Sequence, residues 1–131
     1  QATDWQTVVS RRASQKSPKE GGWNIFCTNW VAPDVMNPVA NVMLNGKGKK
    51  GGWFGWPDDP AMEALIDKFV RATSPDDQKK VAVDIQKHVM EQVTYIPLGQ
   101  YEAPSVWRTS LKGVLDGPAT PIFWNIEKTE A

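Results

Sequence analysis

Side chains able to do covalent or acid–base chemistry are scarce in this chain. His88 is the one histidine and Cys27 the one cysteine, so neither a hydroxyl nucleophile nor a thiol has a second histidine to choose from. His88 stands within one turn of Asp84 and Gln92 in a segment of helical periodicity, where it reads as a solvated or half-buried helix histidine rather than a general base. Asp58 and Asp59 directly precede Pro60, where a helix start wants carboxylates, and capping accounts for them better than proton transfer. No spacing of histidine, cysteine and acids suits a metal. The run Gly46-Lys47-Gly48-Lys49-Lys50-Gly51-Gly52 invites a phosphate-loop reading, but no Gly-Lys-Ser/Thr opens a helix and no strand immediately precedes it. It reads as a mobile, solvated, cationic loop. The chain is therefore expected to be no enzyme, with no catalytic residue, metal or cofactor.

Recognition chemistry is better represented. Asp34 follows Trp30 by four residues on a proline-bounded loop. A carboxylate there can meet an ammonium group beside an aromatic wall, a charge-assisted bond worth about 1.5–3 kcal/mol when well made. An Asx-type loop acid bonding its own backbone fits the local sequence equally well. Asn29 and Trp30 belong to the same candidate site. Trp53, Phe54 and Trp56 follow the glycine and lysine run and are stopped by Pro57, so they either pack into a junction or face a solute.

The elements that must hold these residues can be read along the chain. Thr3-Asp4-Trp5-Gln6 has the form of a capping box, and Trp5, Val8, Val9 and Ala13 recur at helical spacing, which predicts a helix to about Ser14. Trp23 to Trp30 is apolar on both alternating sets, Ile25 with Cys27 and Phe26 with Trp30, as in a strand covered on both faces; Cys27 would then be a small buried hydrophobe. Residues 31–38 form a loop at that strand's C-terminal end, a usual address for ligands in layered sheets. Residues 39–44 suggest a short helix. Asp59 and Pro60 start a helix with the stripe Met62, Leu65, Ile66, Phe69 and Val70. Ser74-Pro75-Asp76-Asp77 starts a second, with Val81, Ala82, Ile85, Val89 and Val93 inward, completing a helical hairpin. Residues 94–101 read as an edge or crossing strand because Pro97 cannot donate to a ladder. The following stretch, 102–125, is apolar without helical period, and is expected to be extended segments that complete a sheet elsewhere.

Bulk properties narrow the partners. The 131 residues suit one domain, and 15 basic against 15 acidic residues leave no net charge to draw in nucleic acid or an anionic membrane. A single cysteine excludes an intrachain disulfide framework. Seven tryptophans and ten prolines suggest a fold that meets flat or amphipathic ligands, or a large interface. No stretch approaches a membrane span, and the opening QATDWQ lacks the basic and apolar regions of an export signal. Either the protein is cytosolic or such a signal belongs to a part not present in this sequence.

Taken together, Asp4-Trp5 with Arg12, Gly22-Trp23-Asn24-Ile25-Phe26, Trp30 with Asp34 and Asn37-Pro38, Gly52-Trp53-Phe54-Gly55-Trp56, the hairpin, and Tyr95-Ile96-Pro97-Leu98-Gly99-Gln100-Tyr101 resemble the C-terminal part of the family 5 extracellular solute-binding proteins. These are the dipeptide- and oligopeptide-binding components of bacterial ABC importers. The resemblance implies an α/β fragment of a periplasmic binding protein type II fold, a layered mixed sheet with a helical hairpin. Residues 1–97 would form most of the second lobe and 98–131 the hinge crossing and return segment of the first. It implies a periplasmic or membrane-anchored extracellular protein that closes on a peptide or other small amine-bearing solute and delivers it to permease subunits. By position, Trp30 and Asp34 match the tryptophan and the aspartate that anchors a peptide's α-ammonium; Asn29, Trp53 and Trp56 would lie close by. Nucleic acid is not an expected partner, and exposed strands of the fragment could pair into a dimer. The alternative from another class is a self-contained Trp-rich module for glycan or protein interaction.

Overall fold

The computed structural model describes residues 2–115, 117 and 121–129. Its best-defined part is the helical hairpin. Asp59 caps α3 (Pro60–Arg71) by accepting the Met62 N–H at 3.0 Å, and Pro60 takes the first helical position, where its missing N–H costs nothing. Ser74 caps α4 (Pro75–Gln92), accepting the Asp77 N–H at 3.1 Å. Lys68 and Arg71 close α3 against its negative end, and Arg71 also reaches Asp67 one turn back at 2.7 Å. Met62, Val81, Ile85 and Val89 meet between the helices, joined by Leu44 from the preceding loop, with Leu65, Ile66, Phe69 and Tyr95 around them. Each such side chain contributes about 1.5–3 kcal/mol by leaving water. Val70 and Val93, both expected on the inner stripes, lie more than half exposed at the outer ends of their helices.

At the N-terminal side, α1 (Trp5–Arg12) is capped by Asp4 rather than Thr3. The Asp4 carboxylate accepts both the N–H and the hydroxyl of Thr7, at 2.9 and 2.6 Å, and so outcompetes a threonine hydroxyl one residue earlier. The helix ends at Arg12, short of Ser14. Residues 31–38, expected as a loop, contain the single-turn α2 (Ala32–Val35), and the helix expected over 39–44 is a 3₁₀ turn over Val42–Leu44. Buried Asn41 ties these pieces together: its amide donates to Val35 O at 3.3 Å and its Oδ1 accepts the Met43 N–H at 3.1 Å.

The chain is mixed helix and strand, but its layered sheet is not formed among the described residues. The one ladder joins β1 (Leu111–Lys112) and β2 (Glu127–Lys128), antiparallel with Leu111 opposite Lys128. The stretches expected as strands, 23–30 and 94–101, take no regular secondary structure. A strand requires a neighbour to satisfy its N–H and C=O groups, and alternation of apolar residues prepares a segment for a sheet without supplying one. Along 23–30, Trp23 and Phe26 face inward, whereas Ile25 is 81% exposed and Cys27 is also exposed, contrary to its expected burial.

The glycine and lysine run differs from its expected mobile, solvated form. Gly48 N–H bonds Pro57 O at 2.8 Å, Asp59 N–H bonds Gly46 O at 2.9 Å, and Gly46 N–H bonds Glu63 Oε1 at 2.8 Å, closing residues 46–59 onto the start of α3. A Cβ on Gly46 would lie 2.5 Å from Asp59 O, so glycine is what permits the two strands of this closure to touch.

Candidate functional site

The closure of that loop presents its aromatic residues together. Trp56 N–H bonds Trp53 O at 2.8 Å across a tight turn whose third residue, Gly55, has φ +99°, a value natural to glycine. The turn delivers Trp53, Phe54 and Trp56 to one side. Trp56 itself has φ +47°, a left-handed conformation that costs a bulky residue energy and that the ring packing holds in place. The segment after Gly22 brings Trp23 and Phe26 to meet them. Trp23 and Phe26 stand edge to face at 4.8 Å between ring centres; Phe26 meets Trp53 at 5.8 Å, and Trp23 meets Trp56 at 6.3 Å. Trp30 joins the wall through Trp53, edge to face at 5.9 Å. These are the separations at which aromatic quadrupoles attract, about 0.5–1.5 kcal/mol per pair beyond burial.

A single charge is built into the wall. The Arg12 guanidinium carbon lies 4.5 Å from the ring centre of Phe54, 5.2 Å from Trp5 and 5.7 Å from Trp53. The Trp23 indole N–H donates to Arg12 O at 3.0 Å, so main chain and head group are both fixed to the cluster. Arg12 enters the sequence reading only among the residues that carry the resemblance and is given no part in the candidate site there. The available signal was its spacing from Trp5, two turns along one helix face.

Of the residues singled out beforehand, Trp30, Trp53 and Trp56 are brought into one wall, Trp30 and Trp53 in direct contact. Asn29 lies next to them in sequence, and its amide donates to the Tyr101 hydroxyl at 2.6 Å, linking this segment to one 72 residues later. Asp34 sits exposed in the first turn of α2, its own N–H bonded to Val31 O at 3.0 Å. Among the described residues its carboxylate has no hydrogen-bond partner, so the Asx-type contact to its own backbone is not made. Trp30 remains 42% exposed beside it in sequence, while Trp23, Phe26, Trp53, Phe54 and Trp56 are half-buried.

His88 belongs elsewhere. Its Nε2 lies 2.7 Å from Asp59 Oδ2, with both side chains largely buried, and the two line a shallow depression of about 580 Å³ with Asp58, Gln92 and Thr94. Burial pushes the Asp59 carboxyl up, but the Met62 N–H and His88 outweigh it and hold the carboxyl below its ordinary value. An ionised Asp59 only accepts, so Nε2 donates. The pair fastens α4 to the cap of α3, and none of the five predicted binding residues lines that depression. Among the described residues no group of three or more histidines, cysteines and acids is placed to hold a metal, and no helix is long and apolar enough to cross a membrane.

Comparison with known proteins adds one relation. The chain is 36% identical over 127 residues, 96% of its length, to the probable peptide ABC transporter periplasmic-binding protein y4tO of Sinorhizobium fredii (strain NBRC 101917 / NGR234). The chain spans 23% of that relative's length. No family model matches the chain.

Proposed function

We propose that this chain is part of the solute-binding component of an ABC-type importer, one of the family 5 extracellular solute-binding proteins, working in the periplasm and handing its solute to permease subunits. The observation that carries this reading is the 36% identity to a peptide transporter's periplasmic-binding protein along nearly all of this chain. The solute is a short peptide or similar amine-bearing molecule. Its ammonium meets Asp34, and its apolar parts lie against Trp30 and the Trp53 side of the wall, with Asn29 and Trp56 adjoining. An exposed carboxylate without a partner, close in sequence to an exposed indole, supports that assignment. Residues 1–97 belong to one lobe and 98–131 cross a hinge toward another, the solute being trapped by hinge closure. The exposure of Leu98 at 85% and Val106 at 90%, on a segment without regular structure, supports a role for these side chains against a surface beyond the described residues.

The test uses the full-length product of the gene that carries this chain. Tryptophan fluorescence should change saturably with short peptides, and Asp34→Ala should weaken binding by about tenfold to a hundredfold, the worth of one charge-assisted bond. A saturable change with an unaltered midpoint in Asp34→Ala removes Asp34 from the site. No response to any short peptide removes the peptide reading.

A further inference from the structure

We propose that Glu63 is a positioning residue for the aromatic wall: its carboxylate clasps the neck of the loop 46–59 and so sets where Trp53, Phe54 and Trp56 stand to meet a solute's apolar side chain. This inference rests on the function proposed above and names the residue that holds the apolar part of that site in place.

By type and place Glu63 is an ordinary acid in the first turn of α3, where a negative charge complements the helix end. Its side chain makes a more specific contact. Oε1 accepts the Gly46 N–H at 2.8 Å, and Oε2 lies 4.0 Å from Lys47 Nζ. Gly46 is buried, and its carbonyl accepts the Asp59 N–H at 2.9 Å, so both of its main-chain polar groups are taken by residues one turn apart at the start of α3. A buried main-chain N–H left without an acceptor is costly, and Glu63 supplies the acceptor here. The contact to Lys47 adds little, because it is long and the Lys47 side chain is 62% exposed.

The rest of the loop carries this grip to the rings. Lys47 and Asp58 face each other in an antiparallel bridge and Gly48 N–H bonds Pro57 O at 2.8 Å, so the neck is two-stranded. Farther in, Gly52 N–H bonds Gly48 O at 2.7 Å and the Asn45 amide donates to Gly51 O at 2.9 Å, leading to the turn in which Trp56 N–H meets Trp53 O. A loop with joined ends and internal bonds of this kind is a compact Ω-loop, and its tip follows its neck. Loosening the neck therefore displaces Trp53, Phe54 and Trp56 together, and the apparent affinity for a solute scales with the fraction of molecules whose wall is in place.

Two substitutions separate the clasp from the charge. Glu63→Asp keeps a negative charge at the helix end but stops one methylene short of Gly46, whereas Glu63→Gln gives up the charge and keeps an oxygen for the Gly46 N–H. In the same full-length product, calorimetric titration with Ala-Phe-Ala and tri-alanine should show the natural protein preferring the phenylalanine peptide. Glu63→Asp should lose that preference, with about a tenfold fall in affinity for Ala-Phe-Ala, the order expected when one charge-assisted bond no longer holds the loop closed. Glu63→Gln should keep it. Hydrogen exchange over residues 46–56, followed without any solute, should quicken in Glu63→Asp and not in Glu63→Gln. A preference absent from the natural protein, retained in Glu63→Asp or lost in Glu63→Gln overturns the role of Glu63, and binding of tri-alanine would still leave the proposed function standing. Failure of the natural protein to bind either peptide overturns both. If circular dichroism shows Glu63→Asp unfolded, Glu63→Gln decides alone: a kept preference with unchanged exchange supports the clasp, and loss of either overturns it.

Discussion

Replacing Asp59 should remove two interactions at once, because one carboxylate both caps α3 and holds α4 through His88. Loss of an N-cap acceptor costs about 1 kcal/mol and loss of a charge-assisted hydrogen bond about 1.5–3 kcal/mol. The Asp59 and His88 side chains are only 15% and 17% exposed, so solvent screens this bond less than the surface pairs of the same chain. Asp59→Ala should therefore lose about 2–4 kcal/mol, a drop of roughly 10 °C in Tm for a chain of this size. Asp59→Asn can still cap and should lose only the His88 part, about 1.5–3 kcal/mol. His88→Ala should match Asp59→Asn, and the double variant should show a coupling of about 1 kcal/mol. Urea unfolding followed by circular dichroism measures all four. The folded carboxyl lies below its ordinary value, so its contribution is present above that value and is lost as pH falls through the folded one. The deficit of Asp59→Ala should accordingly be full near neutrality and shrink in strong acid. A coupling of zero, or an Asp59→Asn variant as damaged as Asp59→Ala, would refute the division of labour argued here.

Two further outcomes follow from the backbone. Val93 closes α4 at φ +52°, a left-handed position that suits glycine and strains a β-branched residue, and its side chain is 55% exposed; Val93→Gly should raise stability by about 1 kcal/mol in the same unfolding assay, and a loss of that size would contradict the strain. Gly46→Ala would drive a Cβ to 2.5 Å from Asp59 O, backbone that cannot step aside without breaking the Asp59 N–H bond to Gly46 O, so a loss of about 2 kcal/mol or more is expected; a change within about 0.5 kcal/mol would show the closure to be soft.

Legibility along the chain followed the range of the interactions involved. Asp59-Pro60 and Ser74-Pro75 announce α3 and α4 because a cap and a proline at the first turn act within four residues, and the inner stripes follow from the helical repeat. The strands expected at 23–30 and 94–101 rested on apolar alternation, which states that a segment is ready to pair but not what it pairs with. Both remain irregular among the described residues, and Ile25, Ile96 and Leu98 stay exposed. The glycine and lysine run was misread for a related reason. Glycine in a sequence signals freedom or close approach equally, and only the meeting of Gly46 with Asp59 and Glu63 decides for close approach.

The site shows the same division. Trp53, Phe54 and Trp56 were conspicuous as residue types, and the turn at Gly55 explains how so short a stretch places three rings on one side. Their partners Trp23, Phe26, Trp30 and Arg12 come from 23 to 42 positions earlier in the sequence, where no local rule connects them. What the assembled cluster adds is a setting for the oddest local feature: from its left-handed backbone Trp56 packs its ring against Trp23 and Phe54, contacts that offset the strain. Arg12 is held in this wall by three rings, with no acid paired to it among the described residues, and only its Nε is fully buried.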